Sequence, residues 1–214
     1  MNKAIADLRK EYSSETLLEK DVEANPIHQF QKWWDQAISS ELLEPNAMTL
    51  ATSSTDGLPS ARIVLLKGFD KRGFVFYTNY ESFKAMQLEE NPKACLVFHW
   101  KELERQVRIM GVVEKVATSE SDEYYGSRPV GSRIGAWTSP QSKVIPDREW
   151  LEEEFDKRKT EFSNGDVPRP PFWGGYLVRP VIIEFWQGRF SRLHDRIQYT
   201  LEKNGAWKTE RLAP

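Results

Sequence analysis

The sequence has few of the residues on which several classes of protein depend. Its 214 residues include one cysteine, Cys95, and three histidines that lie far apart, at 28, 99 and 194. One cysteine excludes an internal disulfide, and the scattered histidines lack the spacing of a metal site, so we expect no bound metal. A single cysteine within the apolar run ACLVFHW is typical of a buried thiol in a reducing compartment, which favours the cytoplasm.

Long hydrophobic runs and an excess of charge of one sign are also missing. No apolar run approaches the roughly 18 residues that span a bilayer, and the opening MNKAIADLRKEY lacks the apolar core of a secretion signal. The formal net charge of −2 gives no general attraction to nucleic acid or to an anionic membrane. We therefore expect a cytoplasmic protein without a nucleic-acid or membrane partner, in which any anion site is local.

Three common signatures of catalysis or nucleotide binding are absent. The chain has no GxGxxG after a strand, no GxxxxGK[ST] and no GxSxG. Dinucleotide binding of the Rossmann type, P-loop nucleotide binding and a serine-hydrolase elbow are therefore unsupported.

The first half of the chain changes from helical to strand periodicity. Residues 3–12 have weak helical character, and Asn25 and Pro26 offer the N-cap and first position of the helix PIHQFQKWWDQAISSELL. From Ala47, the pattern predicts the strands AMTLATSS, PSARIVLLKGF, GFVFYTN, ACLVFHW and ERQVRIMGVVEKVA, with the short helix SFKAMQLEEN before the fourth.

The second half combines helices with two closing strands. Helices are predicted in SESDEYYGSR, where Ser119 and Asp122 resemble a capping box, within residues 130–142, and from Asp147. VPRPPFWGGY is predicted to be an irregular connection, followed by the strands VIIEFWQG and RLHDRIQYTLE and a tail. Six or seven strands with short connections predict a mainly β (α+β) barrel, with a single domain over 26–214 after the segment 1–25.

Two cations bracket the apolar strand RIVLLK. Arg62 and Lys67 need partners, either acids of the chain or an anionic ligand, and the run is apolar on both faces like a strand buried on both sides. Residues five apart face opposite sides of a regular strand, so a shared ligand would require a bulge, and otherwise there would be two sites.

Two further groups have the chemistry to bind phosphate. Thr78, Ser82 and Lys84 lie at a strand-to-helix junction, where helix N–H groups attract anions, although Ser82 could equally be a plain N-cap. A second set recurs at intervals of four, the spacing of one helix face, although Pro129 would break that helix. This second set is Tyr124, Arg128 and Ser132.

The stretch RFSRLHDRIQY would place three cations on one face of an extended strand, Arg192, His194 and Arg196. Like charges so close require an anion or water between them. A flat heteroaromatic cofactor would in addition require amide donors and an indole wall. Four residues could supply these groups: Gln106, Gln141, Ser142 and Trp186.

Together these motifs resemble the pyridoxamine 5′-phosphate oxidase family. The match follows nearly the whole chain in order: RIVLLK at 62, FYTN at 76, ERQVRIMG at 104, SRP at 127, IGAW at 134, QS at 141, FWGG at 172, EFWQG at 184, RLHDR at 192 and the final RLAP. The resemblance implies an FMN-binding split β-barrel that forms a homodimer with FMN at the subunit interface. It also implies oxidation of pyridoxamine or pyridoxine 5′-phosphate by O2 to pyridoxal 5′-phosphate, in vitamin B6 synthesis and salvage, with release of hydrogen peroxide and, from the amine, ammonia.

The resemblance also implies a set of site residues. FMN would contact Arg62, Ile63, Val64, Leu65, Leu66, Lys67, Tyr77, Thr78, Lys84, Gln106, Gln141, Ser142, Trp186 and Arg196. The substrate phosphate would meet Lys67, Tyr124, Arg128 and Ser132. Over the substrate ring would lie the implied catalytic residues Arg192, which would orient it, and His194, which would assist by hydrogen bonding or proton transfer. Arg9 and Tyr12 match an N-terminal segment that closes over the site.

One position departs from the resemblance, and two other functions stay open. Where the family commonly has SRK, this chain has Ser82-Phe83-Lys84, so an arginine expected near the FMN phosphate is absent. Because a charge-assisted hydrogen bond contributes about 1.5–3 kcal/mol, FMN would bind more weakly or be compensated elsewhere. The alternatives are a split-barrel flavin reductase with another substrate and a non-catalytic protein that binds FMN or pyridoxal phosphate.

Overall fold

The structure is a computed structural model that describes Tyr12 and residues 15–214. Arg9 and most of the weak helix expected over residues 3–12 lie outside the described residues. Within the described part of the chain, no helix combines the length and apolar character needed to cross a membrane.

The first long helix is α1, Pro26–Ser39. The side chain of Asn25 caps it by accepting the N–H of Ile27 at 2.8 Å, and Pro26 occupies the first helical position, as predicted. Its inner face buries Phe30 and Trp33. The helix ends before the predicted SELL segment.

Four more helices follow along the chain. They are α2 (Phe83–Glu90), α3 (Thr118–Ser127), α4 (Val130–Thr138) and α5 (Arg148–Glu161). Asp147 caps α5 by accepting the N–H of Trp150. The capping box expected at Ser119 is wrong, because α3 begins one residue earlier and its N-cap is Ala117, whose side chain cannot accept a hydrogen bond. Single 3-10 turns lie at Glu19–Asp21, Lys101–Leu103 and Phe190–Arg192.

The described residues form a nine-stranded sheet. Its strands are β1 (Ala47–Ser53), β2 (Pro59–Leu65), β3 (Gly68–Asp70), β4 (Gly73–Asn79), β5 (Lys93–Trp100), β6 (Arg105–Lys115), β7 (Trp173–Gln187), β8 (Asp195–Leu201) and β9 (Trp207–Arg211). Hydrogen bonds link β2, β1, β5, β6, β7, β4 and β3 in that order, while β8 pairs with β7 and with β9. The strand count is therefore higher than the six or seven predicted.

Two of the additional strand segments lie where the sequence predicted irregular structure. Trp173, Gly174 and Gly175 belong to β7, where they pair with β4 in the register Asn79↔Trp173 to Phe74↔Val178. The final segment, expected to be a tail, forms β9 and pairs antiparallel with β8. In both places, backbone hydrogen bonds to a distant strand override the local turn signals.

The chain divides into two compact units. Of the described residues, the first unit contains those up to Leu50, Cys95–Gly111 and Pro180–Pro214, and the second contains Ala51–Ala94 and Val112–Arg179. The core of the first unit includes the buried rings of Phe30, Phe98, Phe185 and Tyr199, and that of the second includes Phe74, Phe76, Leu88 and Val178. The boundary between a segment 1–25 and a single domain over 26–214 stays a prediction.

Candidate active site

A cleft of about 840 Å³ in the second unit contains most of the residues that were predicted to bind phosphate. Those from the predicted FMN set are Arg62, Ile63, Val64, Leu65, Lys67, Tyr77, Thr78, Lys84 and Gln141. Those from the predicted substrate set are Lys67, Tyr124, Arg128 and Ser132. The structure thus places side chains from both sets in one cleft.

The two cations that bracket RIVLLK reach the same cleft because the strand ends between them. β2 stops at Leu65, and Lys67 follows it with its N–H donating to the carbonyl of Val75 at 2.8 Å. Strand alternation therefore does not apply to Lys67, and neither a bulge nor two sites are required. The prediction of a strand buried on both faces is wrong for this chain, because Ile63 is 64% exposed and its neighbours line the open cleft.

Lys84 is the most buried cation of the cleft. Its Nζ donates to Gln141 Oε1 at 3.0 Å, Thr78 Oγ1 at 3.2 Å and Ser82 Oγ at 3.4 Å. Within the described part of the chain all of these partners are neutral oxygens. Burial lowers the pKa of Lys84 to about 8, and the nearby positive charge of Arg62 adds to this effect. The ammonium is therefore desolvated without a carboxylate to balance it.

The start of α2 next to Lys84 lacks a side-chain cap. Ser82 occupies the N-cap position, but its hydroxyl donates to the carbonyl of Asn79 at 2.7 Å and caps no helix N–H. Ser82 is thus the N-cap residue, as that alternative predicted, but its side chain does not make the expected capping hydrogen bond. Phe83, where the resemblance leads us to expect arginine, begins α2 and is 49% exposed.

Tyr124, Arg128 and Ser132 meet in the cleft although no single helix carries them. Helix α3 ends at Ser127 and Pro129 is the N-cap of α4, so the predicted break occurs where proline indicates it. Arg128 lies over the ring of Trp173, with 4.6 Å between its guanidinium carbon and the ring centroid. Its Nη1 is buried and has no hydrogen-bond partner among the described residues.

An aromatic stack forms one wall of the cleft. The rings of Tyr77 and Tyr124 stack with their centroids 4.0 Å apart, and Trp173 stacks on Tyr77 at 5.5 Å. Trp173 is in neither set of site residues that the resemblance implies, although it lies in the matching segment FWGG. Asn79, Pro129, Gly135, Ala136 and Ser139 also line the cleft and carried no signal that the sequence alone could distinguish.

The first unit contains a second cluster of predicted site residues. The rings of Trp186 and His194 lie 4.6 Å apart, and the ring of Tyr12 contacts both, at 5.8 Å and 5.7 Å. His194 Nδ1 accepts the backbone N–H of Arg189 at 3.1 Å, so neutral His194 carries its proton on Nε2. Burial lowers the pKa of His194, with a further contribution from Arg192.

The shared strand face predicted for Arg192, His194 and Arg196 is wrong. β8 begins at Asp195, so only Arg196 of the three lies in the strand. Arg192 lies in the 3-10 turn Phe190–Arg192 with a left-handed backbone (φ 62°), as does Ser191 (φ 55°). Strand alternation therefore does not govern their directions.

Arg196 is held by a buried carboxylate. Its Nε donates to Glu184 Oε1 at 2.8 Å, and Arg108 Nη1 lies 3.4 Å from Glu184 Oε2. The hydrogen bond that Arg196 donates to Glu184 raises the pKa of Arg196 above its usual range. A second donor nitrogen, Nη1, binds the carbonyl of Ala213 at 2.7 Å.

The remaining predicted residues lie outside these contacts. Leu66 is buried and does not line the cleft. Gln106 is half-buried on β6 in the first unit, and Ser142 follows Gln141 with a left-handed backbone (φ 72°). Arg9 is outside the described residues.

The antiparallel sheet with its helices has the fold of the FMN-binding split barrels. A solved structure described as a pyridoxamine 5′-phosphate oxidase-related, FMN binding protein from Nostoc punctiforme has a TM-score of 0.71 at 18% identity, covering 90% of this chain and 100% of its own. The fold class expected from the sequence is confirmed.

Family models define the relationship more closely. A model described as pyridoxamine 5′-phosphate oxidase matches residues 34–161, and one described as pyridoxine 5′-phosphate oxidase C-terminal dimerisation region matches residues 173–214. The chain belongs to the pyridoxamine 5′-phosphate oxidase family.

Relatives cover the whole length of the chain. A pyridoxine/pyridoxamine 5′-phosphate oxidase of Nostoc punctiforme is 58% identical over 214 residues, 100% of both chains. One of Cupriavidus pinatubonensis is 56% identical over 98% of this chain and 99% of its own. The crystal structure of PhzG from Burkholderia lata, in complex with tetrahydrophenazine-1-carboxylic acid, has a TM-score of 0.88 at 32% identity and covers 94% of this chain and 100% of its own.

Proposed function

We propose that this protein binds FMN and oxidises pyridoxamine 5′-phosphate or pyridoxine 5′-phosphate with O2 to pyridoxal 5′-phosphate. The observation that carries the proposal is a cleft with two cationic positions that no described residue balances. They are the buried ammonium of Lys84 and the Nη1 of Arg128, which has no hydrogen-bond partner there. Two phosphates, one on the cofactor and one on the substrate, would balance them. The names of relatives that are 54–58% identical over nearly the full chain support the same reaction.

The Lys84 side of the cleft fits the phosphate of FMN. Lys84 and Arg62 supply positive charge, and Thr78 supplies a hydroxyl beside the ammonium. An incoming phosphate would provide the negative charge that the neutral oxygen atoms around Lys84 do not. Burial lowers the pKa of Arg62 as well, so an anion here would relieve the desolvation of two cations.

The Arg128 side fits the phosphate of the substrate. Its guanidinium is fixed over the face of Trp173, and its Nη1 is buried without a protein acceptor in the described part of the chain. Leaving such a donor unsatisfied costs about 1–3 kcal/mol, which a phosphate oxygen would recover. Tyr124 and Ser132 supply hydroxyls, and Lys67 lies near the Tyr124 ring at 5.9 Å.

The residues of the chain would bind and orient, while the cofactor carries the electrons. Bound FMN would supply the redox chemistry, taking up a hydride from the 4′ carbon together with a proton and passing both electrons to O2 to give hydrogen peroxide. With the amine, water would then hydrolyse the oxidised substrate and release ammonia. Arg192 would orient the substrate ring. His194, neutral with its proton on Nε2, would donate a hydrogen bond or move a proton at the substrate oxygen or nitrogen.

We infer that the protein acts as a homodimer with FMN at the subunit interface. The match of residues 173–214 to a dimerisation region supports the association. The exposed apolar side chain of Ile63 on β2 would gain from burial in such an interface. Sedimentation of the wild type and of Ile63→Asp tests it: a dimer that dissociates in the variant is expected, and a monomeric wild type would contradict the inference.

The proposed reaction is tested by incubating FMN-loaded protein with pyridoxine 5′-phosphate in air and measuring the aldehyde and hydrogen peroxide. We expect one peroxide for each aldehyde, and little turnover of unphosphorylated pyridoxine because it leaves Arg128 unpaired. Arg128→Met should raise KM, whereas Arg148→Met, which removes an exposed arginine on α5, should not.

The same experiment separates the other functions. Oxidation of a nicotinamide cofactor with inert B6 phosphates would indicate a flavin reductase. Binding without peroxide would indicate a carrier. Preferential oxidation of tetrahydrophenazine-1-carboxylic acid, the compound bound in the PhzG structure, would indicate a different oxidase.

A further inference from the structure

A closed ring of hydrogen bonds lies behind the cleft, and its centre is a glutamine outside the predicted site. Gln87 is on α2 and is 3% exposed. Its Oε1 accepts two hydroxyl donors, Thr52 Oγ1 from β1 at 2.6 Å and Ser60 Oγ from β2 at 2.6 Å. Both acceptor positions of this carbonyl oxygen are therefore used within the second unit.

The same two hydroxyls accept from Arg62. Nη1 of Arg62 donates to Thr52 Oγ1 at 2.6 Å, and Nη2 donates to Ser60 Oγ at 2.6 Å. A hydroxyl has one proton, and each of these protons is directed to Gln87, so the lone pairs that remain face the guanidinium. The direction of every hydrogen bond in the ring follows from the one acceptor atom on Gln87.

The ring fixes the guanidinium plane and not merely its position. Nη1 and Nη2 are bound to hydroxyls from two different strands, and a planar fork held at two points cannot rotate. Hydrogen bonds that follow one another in a buried network also strengthen each other. Loss of the Gln87 acceptor would let both hydroxyls rotate and would release the plane of Arg62.

We propose that Gln87 is a positioning residue of the cofactor site, which holds Arg62 through Thr52 and Ser60 in the orientation that binds the FMN phosphate. This inference rests on the proposed function. Because the arginine is fixed before the ligand arrives, little side-chain freedom is lost on binding, and the affinity for the phosphate is higher. Gln87 itself does not line the cleft and acts only through Arg62.

The test measures the dissociation constants of FMN and of riboflavin by quenching of flavin fluorescence in the flavin-free protein. Gln87→Met keeps the length of the side chain and removes the acceptor. We expect it to raise Kd for FMN about tenfold, equivalent to about 1.4 kcal/mol, and to leave Kd for riboflavin unchanged because riboflavin has no phosphate. An equal loss for both flavins would show a general structural effect and overturn the proposal.

A matched control removes another buried glutamine. Gln29 on α1 is 1% exposed, and its Oε1 accepts the N–H of Glu23 at 3.0 Å. Gln29→Met should leave the Kd for FMN within about twofold of the wild type, since a twofold change is less than 0.5 kcal/mol by the same conversion. If Gln29→Met and Gln87→Met raise the Kd for FMN equally, the proposal fails.

A double-mutant cycle shows whether Gln87 acts through Arg62. In an Arg62→Met background, Gln87→Met should have no further effect on Kd for FMN, whereas additive losses would overturn the proposal. Ser60→Ala breaks one side of the ring at a half-buried position, and it serves in the same cycle if Gln87→Met does not fold. A wild type that binds no FMN overturns this proposal and the proposed function together, while FMN binding that Gln87→Met and Ser60→Ala leave unchanged overturns this proposal alone.

Discussion

FMN should bind more weakly as the pH rises past about 8, because the buried ammonium of Lys84 then loses its proton. A bound phosphate stabilises the protonated form of Lys84, so above about pH 8 the FMN complex holds more protons than the free protein. Raising the pH therefore shifts the binding equilibrium toward the free protein. With a pKa of about 8 in the free protein, Kd should increase about tenfold between pH 7 and pH 9. Lys84→Met should bind FMN weakly at both pH 7 and pH 9, and its Kd should no longer depend on pH in this range.

Folding of the flavin-free protein should respond to pH with the opposite sign. The pKa of Lys84 falls from 10.5 to about 8 on folding, so between these values the unfolded chain binds more protons and the free energy of unfolding increases with pH. A fall of about 2.5 in the pKa corresponds to roughly 3 kcal/mol at about 1.36 kcal/mol per pKa unit. This loss of folding stability, caused by burying the charged Lys84 ammonium, is fully present below about pH 8 and has disappeared above about pH 10.5.

Two titrations measure these effects. Flavin fluorescence gives Kd for FMN at each pH, and urea denaturation of the flavin-free protein gives the free energy of unfolding. Lys71→Met, which removes an exposed lysine after β3, is the matched control and should retain both slopes. A Kd that is the same at pH 7 and pH 9 in the wild type, or a slope that persists in Lys84→Met, would refute the role of Lys84.

Three further substitutions have distinct expected results. Arg128→Met should raise KM for pyridoxine 5′-phosphate about tenfold or more with unchanged flavin content, because it removes the Nη1 donor that no described residue binds. An unchanged KM would contradict this role. Arg192→Ala and His194→Ala should each lower kcat/KM without loss of flavin, and wild-type kcat/KM in both variants would count against their assigned roles. Arg192→Ala should also raise the pKa of His194, as measured by NMR, because a nearby positive charge is removed. Arg196→Ala should weaken FMN retention more than substrate binding, and full flavin content after dialysis would contradict this role of Arg196. It should also destabilise the fold, because the buried carboxylate of Glu184 then keeps only Arg108 of its two arginine partners.

The strands with regular patterns could be predicted from sequence alone. β6 alternates as expected, with Val107, Ile109 and Val113 buried and Gln106 and Arg108 on the other face. Local periodicity suffices there because one face of the strand contacts the core throughout.

The start of β7 could not be predicted, because its local signals oppose the strand. Gly174 and Gly175 are typical of turns, yet they pair with Thr78 and Tyr77 of β4. A Cβ at Gly175 would lie 2.7 Å from the Tyr77 ring, so glycine is needed here for close packing. Such a requirement exists only once two distant segments meet.

The candidate site was predictable by residue type and not by geometry. The sequence identified Arg62 and Lys67 as phosphate-binding candidates, but only the structure shows that β2 ends between them. The turn that contains Arg192 has left-handed residues other than glycine, which no alternation pattern indicates. The ring around Gln87 joins α2 to the two consecutive strands β1 and β2, with Thr52 35 residues and Ser60 27 residues before Gln87, so no local motif could indicate it.

The most direct test mixes FMN-loaded protein with pyridoxine 5′-phosphate in the absence of O2 and follows the yellow flavin absorbance. The account predicts that the absorbance bleaches as one equivalent of pyridoxal 5′-phosphate forms, and that admission of air restores it with one equivalent of hydrogen peroxide. A spectrum that stays yellow with saturating substrate, with no aldehyde formed, would contradict the central claim.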